Sequence, residues 1–167
     1  MRVLGAGLGA RRGHPLNGGA LRANLGLATA TDDCAGAPAI TNNAPPNFFV
    51  GTTPVTWTAT DVSGNASTAT QTVTVVDTVP PTISCVADGP PGGTFLVTAA
   101  DACGAPTIRL GSYVIGNGER IKINETGQSG VTLIGESDGV RHFHVGKGQA
   151  NVTATDGSNN VTTVACK

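Results

Sequence analysis

Two histidines, His142 and His144, lie two positions apart and are the clearest candidates for chemistry in this sequence. On a strand, residues two apart project from one face, so the two imidazoles could begin a metal site. A third ligand would have to come from another segment, and His14 lies near the start of the chain. The same alternation predicts a second arrangement that needs no metal, in which Phe143 and Val145 face the core and both histidines face solvent.

Aspartates recur at the ends of predicted strands, where carboxylate oxygens could ligate calcium. The calcium candidates are Asp61, Asp77 and Asp156, and similar positions are held by Asp32, Asp33 and Asp101. The alternative is that these side chains cap turns by accepting hydrogen bonds from nearby backbone. The chain contains no Asp-x-Asp-x-Asp-Gly loop, so the calcium candidates rest on the positions of these aspartates alone, and no other cofactor is predicted.

The sequence contains no recognisable catalytic constellation. It lacks a G-x-S-x-G elbow, an H-E-x-x-H pair and a glycine-rich loop opening onto a helix. The glycines at Gly116-Asn-Gly118 and Gly146-Lys-Gly148 are instead typical of β-turns. We therefore predict that the protein is not an enzyme and has no catalytic residues.

The 167-residue chain is poor in charge and rich in residues that disfavour helices. Charged residues make up 13% of it, and the formal net charge is −1, which argues against nucleic-acid binding. The 24 glycines and 10 prolines follow no Gly-X-Y repeat, which excludes collagen and argues against a helical bundle. No apolar run reaches the length of about 18 residues needed for a membrane-spanning helix, so no membrane insertion is predicted.

Two copies of one module follow each other along the chain. Thr58-Ala-Thr-Asp61 recurs as Thr153-Ala-Thr-Asp156, and Cys34-Ala-Gly-Ala-Pro38 is matched by Cys103-Gly-Ala-Pro106. The second copy carries extra residues, which form an insert around 109–149.

The hydrophobic period within both copies is two, which predicts strands. In the first copy the strands cover 55–59 and 71–75, with a turn over 61–65, and the equivalent second-copy pair covers 150–155 and 161–165. Further strands are predicted over 83–86, 94–99, 131–134 and 140–145. Many short strands separated by turns are typical of antiparallel β-sandwiches.

Three segments carry a family resemblance: Gly51-Thr-Thr-Pro-Val-Thr-Trp-Thr-Ala-Thr-Asp-Val-Ser-Gly-Asn65, Thr72-Val-Thr-Val-Val-Asp77, and Asp77-Thr-Val-Pro-Pro-Thr-Ile-Ser-Cys85. Together they resemble the hyalin-repeat (HYR) family and bacterial immunoglobulin-like extracellular repeats. The hyalin-repeat family often has cysteines on the two strands flanking the turn, where this chain has Trp57 and Ala69. The cross-strand bridge of the family is therefore not expected here.

The resemblance implies an all-β fold of tandem immunoglobulin-like antiparallel β-sandwich modules, of which the first is truncated. Residues 1–20 are expected to be a disordered leader or the start of a fragment. The remaining expected divisions are a partial module over 21–78, a proline-rich joint over 79–82, and a second module over 83–167 that contains the insert around 109–149.

Four cysteines without a C-x-x-C pair predict disulfides and an oxidising compartment. Cys85 precedes a predicted hairpin and Cys103 follows it, so we predict a Cys85–Cys103 bridge. Cys34 would be left single because its module is truncated. A bridge between Cys34 and Cys166, joining the two modules, is the alternative.

The function that the resemblance implies is a non-catalytic extracellular adhesion repeat, giving spacing and surface contacts within a larger secreted or cell-surface protein. Its partners would be other extracellular proteins or glycans, or a second copy through strand exchange. The alternative is a carbohydrate- or protein-binding accessory module of a secreted hydrolase, whose aromatic platform would have to come from Trp57, Tyr113 and Phe48-Phe49. A third interpretation is a translated fragment with no independent role.

Overall fold

In the computed structural model, the chain divides into two compact units, Met1–Thr78 (unit 1) and Val79–Lys167 (unit 2). The structure describes residues 24–33, 36–89 and 93–167, together with the strands at 2–4, 11–12 and 20–21. Every regular element in these residues is a β-strand, which confirms the predicted all-β fold. Cys34 and most of the expected leader over 1–20 lie outside the described residues.

Unit 1 contains a main sheet of four strands and two separate two-stranded sheets. The described strands are β1 (Arg2–Leu4), β2 (Arg11–Arg12), β3 (Ala20–Leu21), β4 (Thr29–Thr31), β5 (Ala39–Asn42), β6 (Phe48–Phe49), β7 (Gly51–Thr60) and β8 (Ala66–Val76). The main sheet has the order β2-β8-β7-β5, while β1 pairs with β4 and β3 with β6. All these pairs are antiparallel except β2 with β8, which is parallel.

The long hairpin of β7 and β8 forms because small apolar and threonine side chains alternate along both strands. Val55, Trp57 and Val73 face inward and are buried. The strands predicted over 55–59 and 71–75 are confirmed, and both extend further, since β7 begins at Gly51 and β8 at Ala66. Trp57 lies directly opposite Ala69, as the hyalin-repeat pattern implies for these two places.

A buried polar contact lies beneath this hairpin. The indole N–H of Trp57 donates to Oε1 of Gln71 over 2.9 Å, and Nε2 of Gln71 donates to the carbonyl oxygen of Leu25 over 3.2 Å. Gln71 is only 4% exposed, so its amide needs these partners in place of water. The contact thereby ties the hairpin to the segment that precedes β4.

Unit 2 is a sandwich of two sheets. Its described strands are β9 (Thr82–Ala87), β10 (Thr94–Ala100), β11 (Thr107–Leu110), β12 (Tyr113–Ile115), β13 (Glu119–Thr126), β14 (Val131–Ser137), β15 (Val140–Gly146), β16 (Asn151–Thr155) and β17 (Val161–Ala165). One sheet has the order β14-β15-β13-β10-β9 and the other β12-β11-β16-β17. A single core takes residues from both sheets, including the fully buried Phe143, Val97 and Leu110. The predicted sandwich is therefore confirmed for this unit.

Residues 109–149, which the sequence predicts to be an insert, contain most of β11 to β15. β14 and β15 form a hairpin whose turn holds Asp138 and Gly139 at φ of 54° and 72°, the positive values that a tight two-residue hairpin requires. β15 then lies between β14 and β13 and runs parallel to β13. This sheet is consequently mixed, whereas the sequence predicted purely antiparallel pairing.

A disulfide between Cys85 and Cys166 joins the two sheets of unit 2, with 5.1 Å between the Cα atoms. The predicted Cys85–Cys103 bridge is therefore wrong, and so is the alternative between Cys34 and Cys166. Cys85 lies opposite Val97 with its side chain in the core, so it faces the other sheet, where Cys166 follows β17. Cys103 lies beyond the end of β10, which ends at Ala100.

Candidate interaction surface

The outward side of the β7–β8 hairpin carries a regular array of threonines, which we call the threonine face. Its members are Thr52, Thr56, Thr58, Thr60, Thr68, Thr70, Thr72 and Thr74, all exposed or half-buried. Across the hairpin Thr52 lies opposite Thr74, Thr56 opposite Thr70, and Thr58 opposite Thr68. Alternate residues of a strand are about 6.4–6.8 Å apart and neighbouring strands about 4.7–4.9 Å apart, so the hydroxyls form a grid.

The threonine face has no charge, because neither β7 nor β8 contains an acidic or basic residue. Each threonine presents a methyl group and a hydroxyl, and the hydroxyl both donates and accepts hydrogen bonds. Such a surface can contact a neutral polar partner without burying an unpaired charge, which would be unfavourable. The threonine face therefore has the groups needed for hydrogen bonding and apolar contact with a partner.

The turn that connects β7 to β8 holds the threonine face in register. Oδ1 of Asp61 accepts from the backbone N–H groups of Ser63 and Asn65 over 2.9 and 2.8 Å, and its Oδ2 accepts from Nδ2 of Asn65 over 2.8 Å. Gly64 takes a φ of 87°, which a glycine adopts without strain. The hydrogen bond from the Asn65 side chain, followed by backbone hydrogen bonds, lowers the pKa of Asp61 from its ordinary value of 3.8, although desolvation opposes the shift.

The same turn recurs between β16 and β17 of unit 2. Asp156 accepts from the backbone of Ser158 and Asn160 over 2.8 Å each, and from Nδ2 of Asn160 over 2.8 Å. Asn159 takes the left-handed position, at a φ of 66°, that Gly64 takes in unit 1. Asparagine is among the residues that tolerate this conformation best after glycine.

These contacts show what the calcium candidates do. The carboxylates of Asp61 and Asp156 each cap their own turn, as the alternative interpretation predicts. Asp101 caps similarly, since its Oδ1 accepts from the backbone N–H of Cys103 over 2.7 Å. Asp77 directly follows β8 and is 5% exposed. Calcium binding at Asp61, Asp77 and Asp156 stays a prediction.

The two histidines lie on the face of β15 opposite to the core, as the alternation predicts. Phe143 and Val145 are fully buried, His144 is exposed, and His142 is half-buried. Nε2 of His142 lies 3.0 Å from Oγ of Ser137 across the β14–β15 hairpin. His142 also lines a small cavity of about 240 Å³ with Ile134, Gly135, Glu136 and Ser137.

Three of the four aromatic residues named for a binding platform pack against the core of their own unit. Trp57 and Phe48 belong to the core of unit 1, at 7% and 2% exposure. Tyr113 is half-buried and packs edge-to-face on Phe143, with 5.5 Å between ring centroids. Phe49 is the exposed one, at 63%.

Sequence reasoning missed an ion pair between Arg141 and Glu119. Nε and Nη2 of Arg141 contact the two carboxylate oxygens, and Nη2 also donates to the carbonyl oxygen of Val114 over 2.6 Å. Partial burial acts to raise the pKa of Glu119, but the hydrogen bonds from Arg141 and Gly116 outweigh it and lower that pKa. The hydrogen bond to Glu119 raises the pKa of Arg141. No local sequence pattern predicts this pair, because its members are 22 positions apart.

Comparison with known proteins finds a similarity that includes the threonine face. Residues 23–75 match the HYR domain. The match covers the threonine face and the Asp61 turn, and it supports the hyalin-repeat resemblance. No comparison bears on the bacterial immunoglobulin-like repeats, so that part of the resemblance stays a prediction.

A curated relative supports the same assignment. Hyalin from Lytechinus variegatus is 47% identical to this chain over 64 residues. The matched stretch is 36% of this chain and 12% of Hyalin, so the chain spans a small part of the relative that it matches. No solved structure matches the chain. Within the described residues, no helix has the length and apolar character to cross a membrane.

Proposed function

We propose that this chain is a non-catalytic adhesion repeat of a larger secreted or cell-surface protein, and that the threonine face makes its contacts. The observation that carries the proposal is the position of this face within residues 23–75, the HYR match. An uncharged grid of hydroxyl and methyl groups fits other extracellular proteins or glycans as partners. The Cys85–Cys166 disulfide supports an extracellular location, since such bonds persist in oxidising compartments.

Rigidity of the modules supports a role in spacing. The turn at Asp61 and the buried Trp57–Gln71 contact fix the β7–β8 hairpin in unit 1. The disulfide fixes the two sheets of unit 2 to each other. A unit that keeps its shape presents the same surface at a constant distance along a longer chain.

A second copy of the chain is a further partner within this proposal. Among the described residues, β8 pairs along its outer edge only at Val75 and Val76, with β2. The preceding residues of that edge could accept a strand from another molecule. Sedimentation of the oxidised chain at increasing concentration tests this, and a monomer throughout the range removes strand exchange from the proposal.

The adhesive role is tested with beads that carry the full, oxidised chain. Retention of the beads on arrays of extracellular glycans and matrix proteins is measured for the original chain and for Thr58→Lys with Thr70→Lys, which places two charges on the threonine face. We expect retention by at least one arrayed molecule, with affinity about tenfold weaker in the double variant, equivalent to about 1.4 kcal/mol.

Two controls define the outcome. Thr58→Ser with Thr70→Ser keeps the hydroxyls and should retain binding, and Thr107→Lys places a charge on an exposed position of unit 2 and should have no effect. Retention by none of the arrayed molecules, together with a monomeric chain, would overturn the adhesive role. Equal binding by the lysine double variant would show that the contact surface is not the threonine face.

A further inference from the structure

The turn between β12 and β13 contains an asparagine that acts as part of the sheet. Oδ1 of Asn117 accepts from the backbone N–H of Ala99 over 2.9 Å, and Nδ2 of Asn117 donates to the carbonyl oxygen of Ala99 over 2.9 Å. The ladder between β10 and β13 ends with Val97 opposite Glu119. In that register Thr98 would next face Gly118, and Ala99 would then face Asn117. The side-chain amide of Asn117 therefore takes the place of a backbone amide two residues beyond the ladder.

Asn117 is followed by Gly118, and an Asn-Gly dipeptide can deamidate. The backbone nitrogen of Gly118 can attack Cγ of Asn117, forming a C–N bond while ammonia leaves, which gives a cyclic succinimide. Water then opens the ring to aspartate or isoaspartate. The reaction consumes one water and releases one ammonia, with no oxidant or reductant. A glycine in the second position favours it because no Cβ obstructs the attack.

The fold occupies both groups that would have to react. The N–H of Gly118 donates to the carbonyl oxygen of Val97 over 2.8 Å, so the attacking nitrogen is engaged in the sheet. Cγ of Asn117 is held by the two hydrogen bonds to Ala99. Both residues nevertheless line an open cavity of about 460 Å³, together with Thr98 and Ala100. Water can therefore reach the site, while hydrogen bonds engage both reacting groups.

We propose that Asn117 is a deamidation site that folded unit 2 silences, and that its conversion to aspartate or isoaspartate detaches the turn from β10. The product carboxylate has no N–H for the carbonyl oxygen of Ala99, so an acceptor faces an acceptor where a hydrogen bond was. Any opening of unit 2 that lasts long enough for ring closure thereby leaves a permanent weakening at this end of the pairing between β10 and β13. The inference is independent of the adhesive role.

Deamidation is measured by mass-spectrometric peptide mapping of the full chain at mildly alkaline pH. One sample is folded and oxidised, and the other is reduced and held in urea. We expect the folded sample to react at least about tenfold more slowly at Asn117, since each 1.4 kcal/mol of opening free energy is about a tenfold reduction. Asn17-Gly18, the same dipeptide near the start of the chain, gives the reference rate in urea. Equal rates at Asn117 in both samples would overturn the silencing.

The structural consequence is tested with Asn117→Asp. We expect it to lower the melting temperature of unit 2 by about 5 °C, a shift typical of losing a hydrogen bond in a small domain. The loss should shrink at acid pH, where a protonated carboxyl can donate again. Asn151→Asp, at an exposed position of β16, adds the same charge and should leave the melting temperature unchanged. An Asn117→Asp chain as stable as the Asn151→Asp control would refute the detachment.

Discussion

Units 1 and 2 contain the same turn but are reinforced in different ways. In unit 1 the turn joins strands of 10 and 11 residues, whereas in unit 2 it joins two strands of 5 residues. Unit 2 compensates for its short strands with a second sheet and a disulfide that spans 81 positions. Order in the hairpin of unit 1 therefore rests mainly on contacts between neighbours in sequence, and order in unit 2 on contacts between distant segments.

Removing the disulfide should produce the largest difference in stability between the two units. Cys85→Ala with Cys166→Ala should lower the free energy of unfolding of unit 2 by about 4 kcal/mol, because the loop no longer restricts the unfolded chain. Unit 1 contains the only tryptophan, Trp57, so its urea transition can be followed by fluorescence. Far-UV circular dichroism follows both units.

If the two units are stabilised independently, the urea midpoint of unit 1, followed by Trp57 fluorescence, should not change in this variant. If the tryptophan transition moved as far as that of unit 2, the two units would not be independently stabilised. The original chain, with and without reductant, provides the matched control for the substitutions.

Removing the capping carboxylate should have a smaller effect, again larger in unit 2. Asp156 is 7% exposed, and the N–H groups that it accepts from are half-buried, so Asp156→Ala should lower the free energy of unfolding by about 1–2 kcal/mol. Asp61→Ala should destabilise unit 1 less, since Ser63 and Asn65 are exposed and their N–H groups can bind water. Urea titration of both variants measures the difference, and a larger loss for Asp61→Ala would reverse the comparison.

The smallest expected effect is the pH dependence that the Asp61 turn contributes to the stability of unit 1. The pKa of Asp61 is lowered in the folded chain, so its contribution is fully present above the ordinary value of 3.8 and is lost as the pH falls through the lowered pKa. Asn65→Ala removes the largest cause of the shift, and the pKa should rise toward 3.8. Titration of the Asp61 carboxyl by NMR checks this, and an unchanged pKa in the variant would contradict the assigned cause.

Local features were predictable where the signal lies within a few residues. The alternation of threonine with Val55, Trp57 and Ala59 predicts one face inward, and Asp61 with Asn65 predicts the turn. Both predictions hold because a hairpin is made of neighbouring residues. β13 was missed although Ile121 and Ile123 alternate with polar residues, so the signal was in the sequence and was not used.

The disulfide was mispredicted because its partner lies on the other sheet. Alternation indicates that Cys85 faces inward, but it does not indicate what lies across the core. The Arg141–Glu119 pair and the amide of Asn117 against Ala99 depend similarly on how distant strands align. Periodicity contains no information on that alignment.

The sequence alone determined that this chain is built of strands and which side of the β7–β8 hairpin carries the threonines. It also determined the positions of the two similar turns at Asp61 and Asp156. These properties follow from steric preferences and hydrogen bonds among nearby residues. Only the tertiary structure decided that Cys85 meets Cys166, that β15 lies between β13 and β14, and that Asn117 completes a ladder. Such contacts depend on which sheet faces which, and this is settled by burying one shared core, to which residues from the whole unit contribute.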